Sequence, residues 1–192
     1  RLLPAAQRLK KRFPDFRLQI HDLQPADATD AVRSGRYQLA ISFSYNLVPR
    51  PAPDGLISRP LLTEPVLLAL PKSWRAAGDP IDLRKLVEAE WIVGARQSDD
   101  RELAERACAI AGFAPKVAHT IDDYELLLHM VGAGFGVGLV PELALRFPSA
   151  KALITRRPGK AALYRHIHAI TRQSLAATAP IQALLAELEI DA

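Results

Sequence analysis

The stretch LLLHMVGAGFGVGLVPE, residues 126–142, places glycine at every second position from Gly132 to Gly138. It reads either as a phosphate-cradling loop, which would make the chain a user of NAD or ATP, or as a backbone device. A dinucleotide fingerprint runs strand, then G-x-G-x-x-G, then a helix whose amino end meets the phosphate. The spacing fails here, because a third glycine would have to stand at Val137 or Leu139. The order fails too: apolar periodicity puts the helix before the glycines and a strand after them. A helix carboxyl end carries partial negative charge and repels phosphate. No Lys-Ser or Lys-Thr pair follows the glycines to complete a P-loop. The remaining reading is mechanical: Gly134 takes the left-handed conformation that stops a helix, and the others let helix and strand pack closely.

Working outward, the residues before this stretch alternate strand and helix. DLRKLVEA (82–89) reads as a short helix capped by Asp82 with Ile81 as a staple residue, and WIVG (91–94) as a buried strand. ARQSDD (95–100) is a loop into the helix RELAERACAIAG, closed by Gly112, and KVAHT (116–120) is a strand before the helix of 123–134. Such alternation predicts parallel pairing and an α/β sandwich. Nearer the amino end, Pro4 opens a helix that Pro14 stops, RLQIH (17–21) alternates like a strand, and DATDAVRSG (27–35) is a short helix ended by Gly35. YQLAI (37–41) is a strand and SFSYNLVPRPAPDG (42–55) a polar, proline-broken loop. LISRPLLTEPVLLALP (56–71) is strand-like with a break at Thr63-Glu64-Pro65. Beyond Pro148 come two strand-like runs, 152–156 and 163–171, and a final helix with Ile181, Leu184, Leu185 and Leu188 on one stripe.

The 192 residues suffice for one sizeable core or two small lobes, and 49% hydrophobic content with balanced charge excludes a disordered chain. The longest apolar stretch carries His129 and is too short and glycine-rich for a membrane span. The first fifteen residues lack the apolar core of a signal peptide. A single cysteine, Cys108, excludes an internal disulfide and points to a reducing cytoplasm. The net charge of +4 is mildly basic. Arg8, Lys10, Lys11, Arg12 and Arg17 cluster, which reads as the wet face of an amphipathic helix, opposite Leu2, Ala5, Ala6, Leu9 and Phe13, in preference to a DNA-contacting patch.

Catalytic patterns are thin. His166 and His168 share a strand face but have no third metal ligand at familiar spacing. There is neither a G-x-S-x-G elbow nor an S-x-x-K motif. Asp99-Asp100 and Asp122-Asp123 pose as an acid pair, yet both doublets stand before predicted helices, where capping accounts for them.

The ordered series of segments resembles the effector-binding domain of LysR-type transcriptional regulators across nearly the whole chain. RLLPAAQRLKKRFPDFRLQIHD resembles the family's opening helix and second strand, AVRSGRYQLAI its helix-glycine-strand signature, LLTEPVLLALP its crossover strand, and IDLRKLVEAEWIVG the start of its second lobe. AGFAPKVAHTIDDYELLLHMVGAGFGVGLVPE resembles its most recognisable stretch. The chain departs from the family at Gln38, at Ser73-Trp74-Arg75 and at Pro25.

The resemblance implies an α/β fold of two Rossmann-like lobes joined by two crossover strands, similar to type II periplasmic binding proteins. Lobe I would be residues 1–63 plus 157–192 and lobe II residues 64–156. It implies a first strand and a winged helix-turn-helix upstream of Arg1 in the parent protein. Ligands of open α/β sheets sit beyond the carboxyl ends of strands. The expected binding residues are therefore Ser42, Phe43, Ser44, Thr63, Arg96, Gln97 and Ser98, joined by Asp123 and Tyr124 through the family alignment. They would hold a small, anionic effector between the lobes by hydroxyl groups, helix amino-end N–H groups and an Arg96 fork. The implied role is coupling without catalysis: no cofactor, no metal, a cytoplasmic homodimer or homotetramer joined through helix 4–13 and strand 17–21, and DNA bound by the upstream domain. A type II solute-binding protein of a transport system, or an enzyme on the same scaffold, are the alternative readings.

Overall fold

The computed structural model describes residues 2–15, 17–51, 53–75, 77–159 and 162–189. Packing divides the chain into two compact units, one of Arg1–Phe43, Arg50–Thr63 and His166–Ala192, the other of Ser44–Pro49 and Glu64–Arg165.

The first unit holds three helices, α1 (Leu2–Arg12), α2 (Pro25–Arg33) and α5 (Ala179–Glu189). With them go most of strand β1 (Leu39–Tyr45), the first half of β2 (Leu56–Pro71) and the second half of β7 (Leu163–Arg172). β7 lies between β1 and β2. Of the apolar stripe expected of the opening helix, Ala5 and Leu9 are fully buried against Leu184 and Leu188 of α5, whereas Phe13 lies past the helix end and is 39% exposed. Arg8, on the polar flank, donates from Nε to the Glu187 carboxylate at 2.8 Å and from Nη2 to the Glu187 carbonyl at 2.6 Å. That pair pins the two helices along one edge. Arg172 on β7 donates to the carbonyls of Val32 (2.7 Å), in the last turn of α2, and Tyr37 (3.2 Å), just before β1, tying the loop between them to β7.

The second unit holds β3 (Glu90–Val93), α3 (Asp99–Ile110), β4 (Lys116–Thr120), α4 (Tyr124–Gly132), β5 (Gly138–Pro141) and β6 (Leu153–Arg156). β3 and β4 pair in parallel, with Glu90 opposite Lys116 and Val93 opposite Thr120. The remaining half of β2 pairs antiparallel with β5, Val66 opposite Pro141, and with β6, Leu68 opposite Arg156. The core gathers Ala69, Ile92, Leu127, Leu128, Val131, Val140 and Leu153. Trp91 is fully buried, its indole N–H directed at the Leu86 carbonyl at 3.4 Å.

The glycine run is mechanical, as the sequence predicts. Gly134 stands at φ +88° just past α4 and ends it. Gly136 stands at φ +154°, and a Cβ there would lie 2.6 Å from the Glu90 carbonyl oxygen. Only a bare backbone passes so close to β3, which is why the segment returns to form β5 beside the core.

Four expectations are corrected. Residues 17–21 form no ladder: Leu18 packs on the α1–α5 cluster but Ile20 is 50% exposed, and alternation without a paired neighbour leaves extended chain. The predicted break at Thr63-Glu64-Pro65 is absent, because β2 runs unbroken for 16 residues. Pro65 forfeits one N–H, which does not interrupt it. The helix of 82–89 is a 3-10 turn, Leu83–Leu86, with Asp82 capping the Arg84 N–H at 3.0 Å. Pairing is mixed rather than parallel, since β2 meets β5 and β6 antiparallel.

Candidate functional site

Two strand-to-helix corners of the second unit converge. After β3 the chain turns through Ala95-Arg96-Gln97 into α3, with Gln97 held at φ +70°. A left-handed glutamine costs on the order of 1–3 kcal/mol and marks a corner fixed by its surroundings. Ser98 caps α3, its hydroxyl accepting the Arg101 N–H at 3.2 Å. Gly94 makes room for that hydroxyl, since a Cβ at this position would overlap Ser98 Oγ. After β4, Asp123 caps α4 by accepting the Leu126 N–H at 2.7 Å. Asp122 ties the corners together by accepting the Ala95 N–H at 2.7 Å.

Asp100, in the first turn of α3, is the focus of this region. Its Oδ1 accepts the Tyr45 hydroxyl at 2.6 Å and also the Tyr124 hydroxyl. Each tyrosine has one proton, and both protons go to the carboxylate. The 3.3 Å approach between the two phenol oxygens is therefore a close contact and not a third bond. Burial raises the Tyr45 pKa above its usual value, reinforced by Tyr124 and Asp100; burial and the Asp100 charge raise Tyr124 in the same direction. Both phenols stay protonated and remain donors.

Behind Tyr124 lies Arg165, its guanidinium carbon 5.9 Å from the ring centroid. Arg165 donates from Nε and Nη2 to Oε1 of Glu64 at 2.9 and 2.6 Å. Glu64 Oε2 accepts the Leu143 N–H at 2.6 Å, and the residue is only 3% exposed. Burial works against the charge on Arg165, but Tyr124 and Glu64 outweigh it and raise its pKa. The result is a continuous polar path inside one unit: Glu64, Arg165, the Tyr124 ring, Asp100, Tyr45. A cavity of about 10 Å3 opens beside it, lined by Asp100, Asp122 and Tyr124 on the polar side and by Ile92, Val93 and Leu127 among its apolar wall.

The structure brings together Arg96, Gln97, Ser98, Asp123 and Tyr124, the expected residues of the two corners. Arg96 and Gln97 are exposed. Ser44, also in this unit, is 9% exposed on β1. Ser42, Phe43 and Thr63 belong to the other unit, where Ser42 is buried and Thr63 Oγ1 lies 3.0 Å from His166 Nδ1. Of the aspartate doublets, Asp123 is a cap as expected, but Ser98 rather than Asp99 or Asp100 caps α3. Sequence reasoning missed Tyr45, Glu64, Asp100 and Arg165. A glutamate inside an apolar strand, LLTEPVLLALP, was a signal, because buried charges require partners. The described residues contain no group of three or more His, Cys, Asp or Glu arranged to hold a metal. Cys108 is buried, and desolvation pushes its thiol up to about 12, far from a reactive thiolate. No helix is long and apolar enough to cross a membrane among the described residues.

The family model described as "LysR substrate binding domain" matches residues 1–190. The chain is 28% identical over 148 residues, 77% of its length, to "Uncharacterized HTH-type transcriptional regulator YfeR" of Shigella flexneri, of which it covers 46%. It is 29% identical over 97% of its length to "Probable hydrogen peroxide-inducible genes activator" of Streptomyces viridosporus, covering 60% of that protein. The chain thus spans about half the length of the curated relatives it matches. Among solved structures, HinK, a LysR family transcriptional regulator from Pseudomonas aeruginosa, superposes with a TM-score of 0.80 at 20% identity, over 98% of this chain and 65% of that one. That likeness establishes the fold: α/β, two Rossmann-like lobes of the type II periplasmic-binding-protein kind.

Proposed function

The chain belongs to the LysR substrate-binding domain family, and on that premise we propose that it is the effector-sensing part of a bacterial transcriptional regulator. The match of the family model to residues 1–190 carries this reading. The names of the curated relatives, HTH-type regulators and a gene activator, favour regulation over solute transport. The effector is a small molecule seated where the α3 and α4 corners meet, against Ser98, Asp100, Asp123 and Tyr124, with Arg96 and Gln97 at the exposed rim. Ser44, in the same unit, is proposed to contribute from the end of β1. DNA is read by a separate helix-turn-helix domain of the parent protein, and copies of the regulator pair as homodimers or homotetramers in the cytoplasm.

The mechanism requires binding energy and no chemistry. A ligand that fits one arrangement of the domain better than another by about 1–3 kcal/mol shifts affinity at a distant site by the same coupling. The corners suit this task because they are positioned by rigid elements: β3 and β4 are hydrogen-bonded to each other, and Asp122 fastens one loop to the next. Thermal-shift screening of a metabolite collection tests the reading. A ligand at 100 times its dissociation constant adds about 2.7 kcal/mol of stability. The same ligand recovered unchanged after prolonged incubation supports a sensor, and its conversion to product contradicts one.

A further inference from the structure

Resting on that reading of the site, we propose that the two phenols on Asp100 form a hydrogen-bond switch, which passes occupancy of the α3 and α4 corners to the segments where the chain leaves the second unit. The chain passes between the units at 43–44, 49–50, 63–64 and 165–166. Tyr45, Glu64 and Arg165 each stand within two residues of one of these points. All three belong to the polar path that includes Asp100 and Tyr124.

Segment 44–49 is held from several sides. Tyr45, 1% exposed, reaches Asp100 in the first turn of α3 at 2.6 Å, and Arg106 of the same helix donates to the Leu47 carbonyl. Asn46 donates from its backbone to the Tyr164 carbonyl at 3.1 Å and from Nδ2 to the Ala162 carbonyl at 3.0 Å. Its Oδ1 accepts the Tyr164 N–H at 2.9 Å. Segments 44–49 and 162–165 are thereby tied together beside Arg165. Stability alone gives no reason to bury the charges of Glu64 and Arg165 here, because apolar residues of similar volume often serve a core as well or better.

The switch lies in the count of protons. Each phenol has one, and both go to Asp100 Oδ1. A ligand atom at the corner that accepts the Tyr124 proton takes it away from Asp100. The Tyr124 oxygen, 3.3 Å from the Tyr45 hydroxyl, is then an acceptor toward which Tyr45 can turn. Tyr45 therefore has two partners in reach, Asp100 and Tyr124, and the ligand decides between them. Coupling between sites rests on such a two-state element, biased at one place and felt at another. Behind the Tyr124 ring, Arg165 and its bonds to Glu64 carry any turn of that ring to the crossing at 63–64.

Asp100→Ala removes the shared acceptor and sets the switch to its second position, so the chain without ligand tests the proposal. Urea unfolding reads Tyr45→Phe in three backgrounds. In the wild-type chain it should raise the unfolding constant at least about tenfold, through the lost bond to a carboxylate. In Asp100→Ala it should still raise it about threefold, through the bond to Tyr124, and in Asp100→Ala with Tyr124→Phe not at all. Amide hydrogen exchange reads the transmission: Asp100→Ala should speed exchange at Tyr45, Asn46, Val48 and Tyr164 at least about fivefold beyond Leu86→Ala, a buried substitution outside the network, after correction to equal stability. Should Asp100→Ala fail to fold, Asp100→Asn, a weaker acceptor, is read against the same controls. A Tyr45→Phe change without effect once Asp100 is replaced, or exchange at those amides no faster than in Leu86→Ala, overturns the proposal. No ligand enters this experiment, so its failure leaves the sensor reading standing. That reading fails separately, by an empty metabolite screen.

Discussion

Removing the Arg165 guanidinium should be among the most damaging single changes in the second unit. Glu64 is 3% exposed, and both Arg165 bonds converge on its Oε1, at 2.9 and 2.6 Å. In Arg165→Met the aliphatic stem is kept and the charge is lost, so Glu64 retains the Leu143 N–H as its hydrogen-bond donor. Breaking a buried pair by deleting one partner costs about 3–5 kcal/mol, because the survivor is left charged and desolvated. That is a large share of the roughly 5–15 kcal/mol that holds a domain folded. Glu64→Gln keeps an acceptor for Leu143 but removes the negative charge facing a guanidinium whose side chain is only 12% exposed, and should also destabilise. The double substitution E64Q/R165M removes both charges and should cost clearly less than the sum of the singles. An exposed control, Arg33→Ala, opposite Asp30, should cost under about 1 kcal/mol. Urea unfolding with linear extrapolation reads all four variants. A loss below about 1 kcal/mol for Arg165→Met, or strict additivity in the double variant, would refute the reasoning.

Other consequences are as direct. Gly136→Ala should cost at least about 1–3 kcal/mol, since alanine disfavours φ +154° and its Cβ would meet the Glu90 carbonyl; unchanged stability in urea would contradict the close approach. Cys108, fully buried with its thiol pushed up to about 12, should resist thiol reagents in the native chain and react once urea unfolds it; rapid native labelling would contradict that. His168 has its pKa lowered from 6.5, first by burial and then by His166, against a hydrogen bond that raises it. The folded chain therefore binds that proton less readily than the unfolded one. Its contribution to stability is present above pH 6.5 and is lost as pH falls through the folded value, so unfolding free energy should slope downward there and the slope should flatten in His168→Gln.

The fold was legible wherever one local rule had a single solution. A helix stopped by Gly134, a close pass at Gly136 and a strand ending in Pro141 follow from backbone geometry alone, and each is where the residues placed it. Residues 17–21 were misread because alternation specifies a face but not a neighbour, and a strand exists only when another pairs with it. The break at Thr63-Glu64-Pro65 was misread because a charged residue and a proline interrupt the apolar pattern, although the strand runs on through both. The partner of Glu64, Arg165, lies 101 positions along the chain, out of reach of any window-based pattern. The site divides in the same way. Asp123 caps α4 as its place before a helix implies, whereas Ser98, expected only beyond the end of a strand, proves to cap α3. Tyr45 and Asp100 join only through the tertiary fold, and Asp100 was mistaken for a cap because the serine two residues before it performs that task.

Amide chemical-shift mapping of the labelled chain with the tightest ligand from the screen addresses effector sensing itself. Shifts concentrated in residues 94–101 and 121–127, with the ligand recovered intact, are the predicted result. Shifts confined to other segments, or a ligand returned chemically altered, would contradict it.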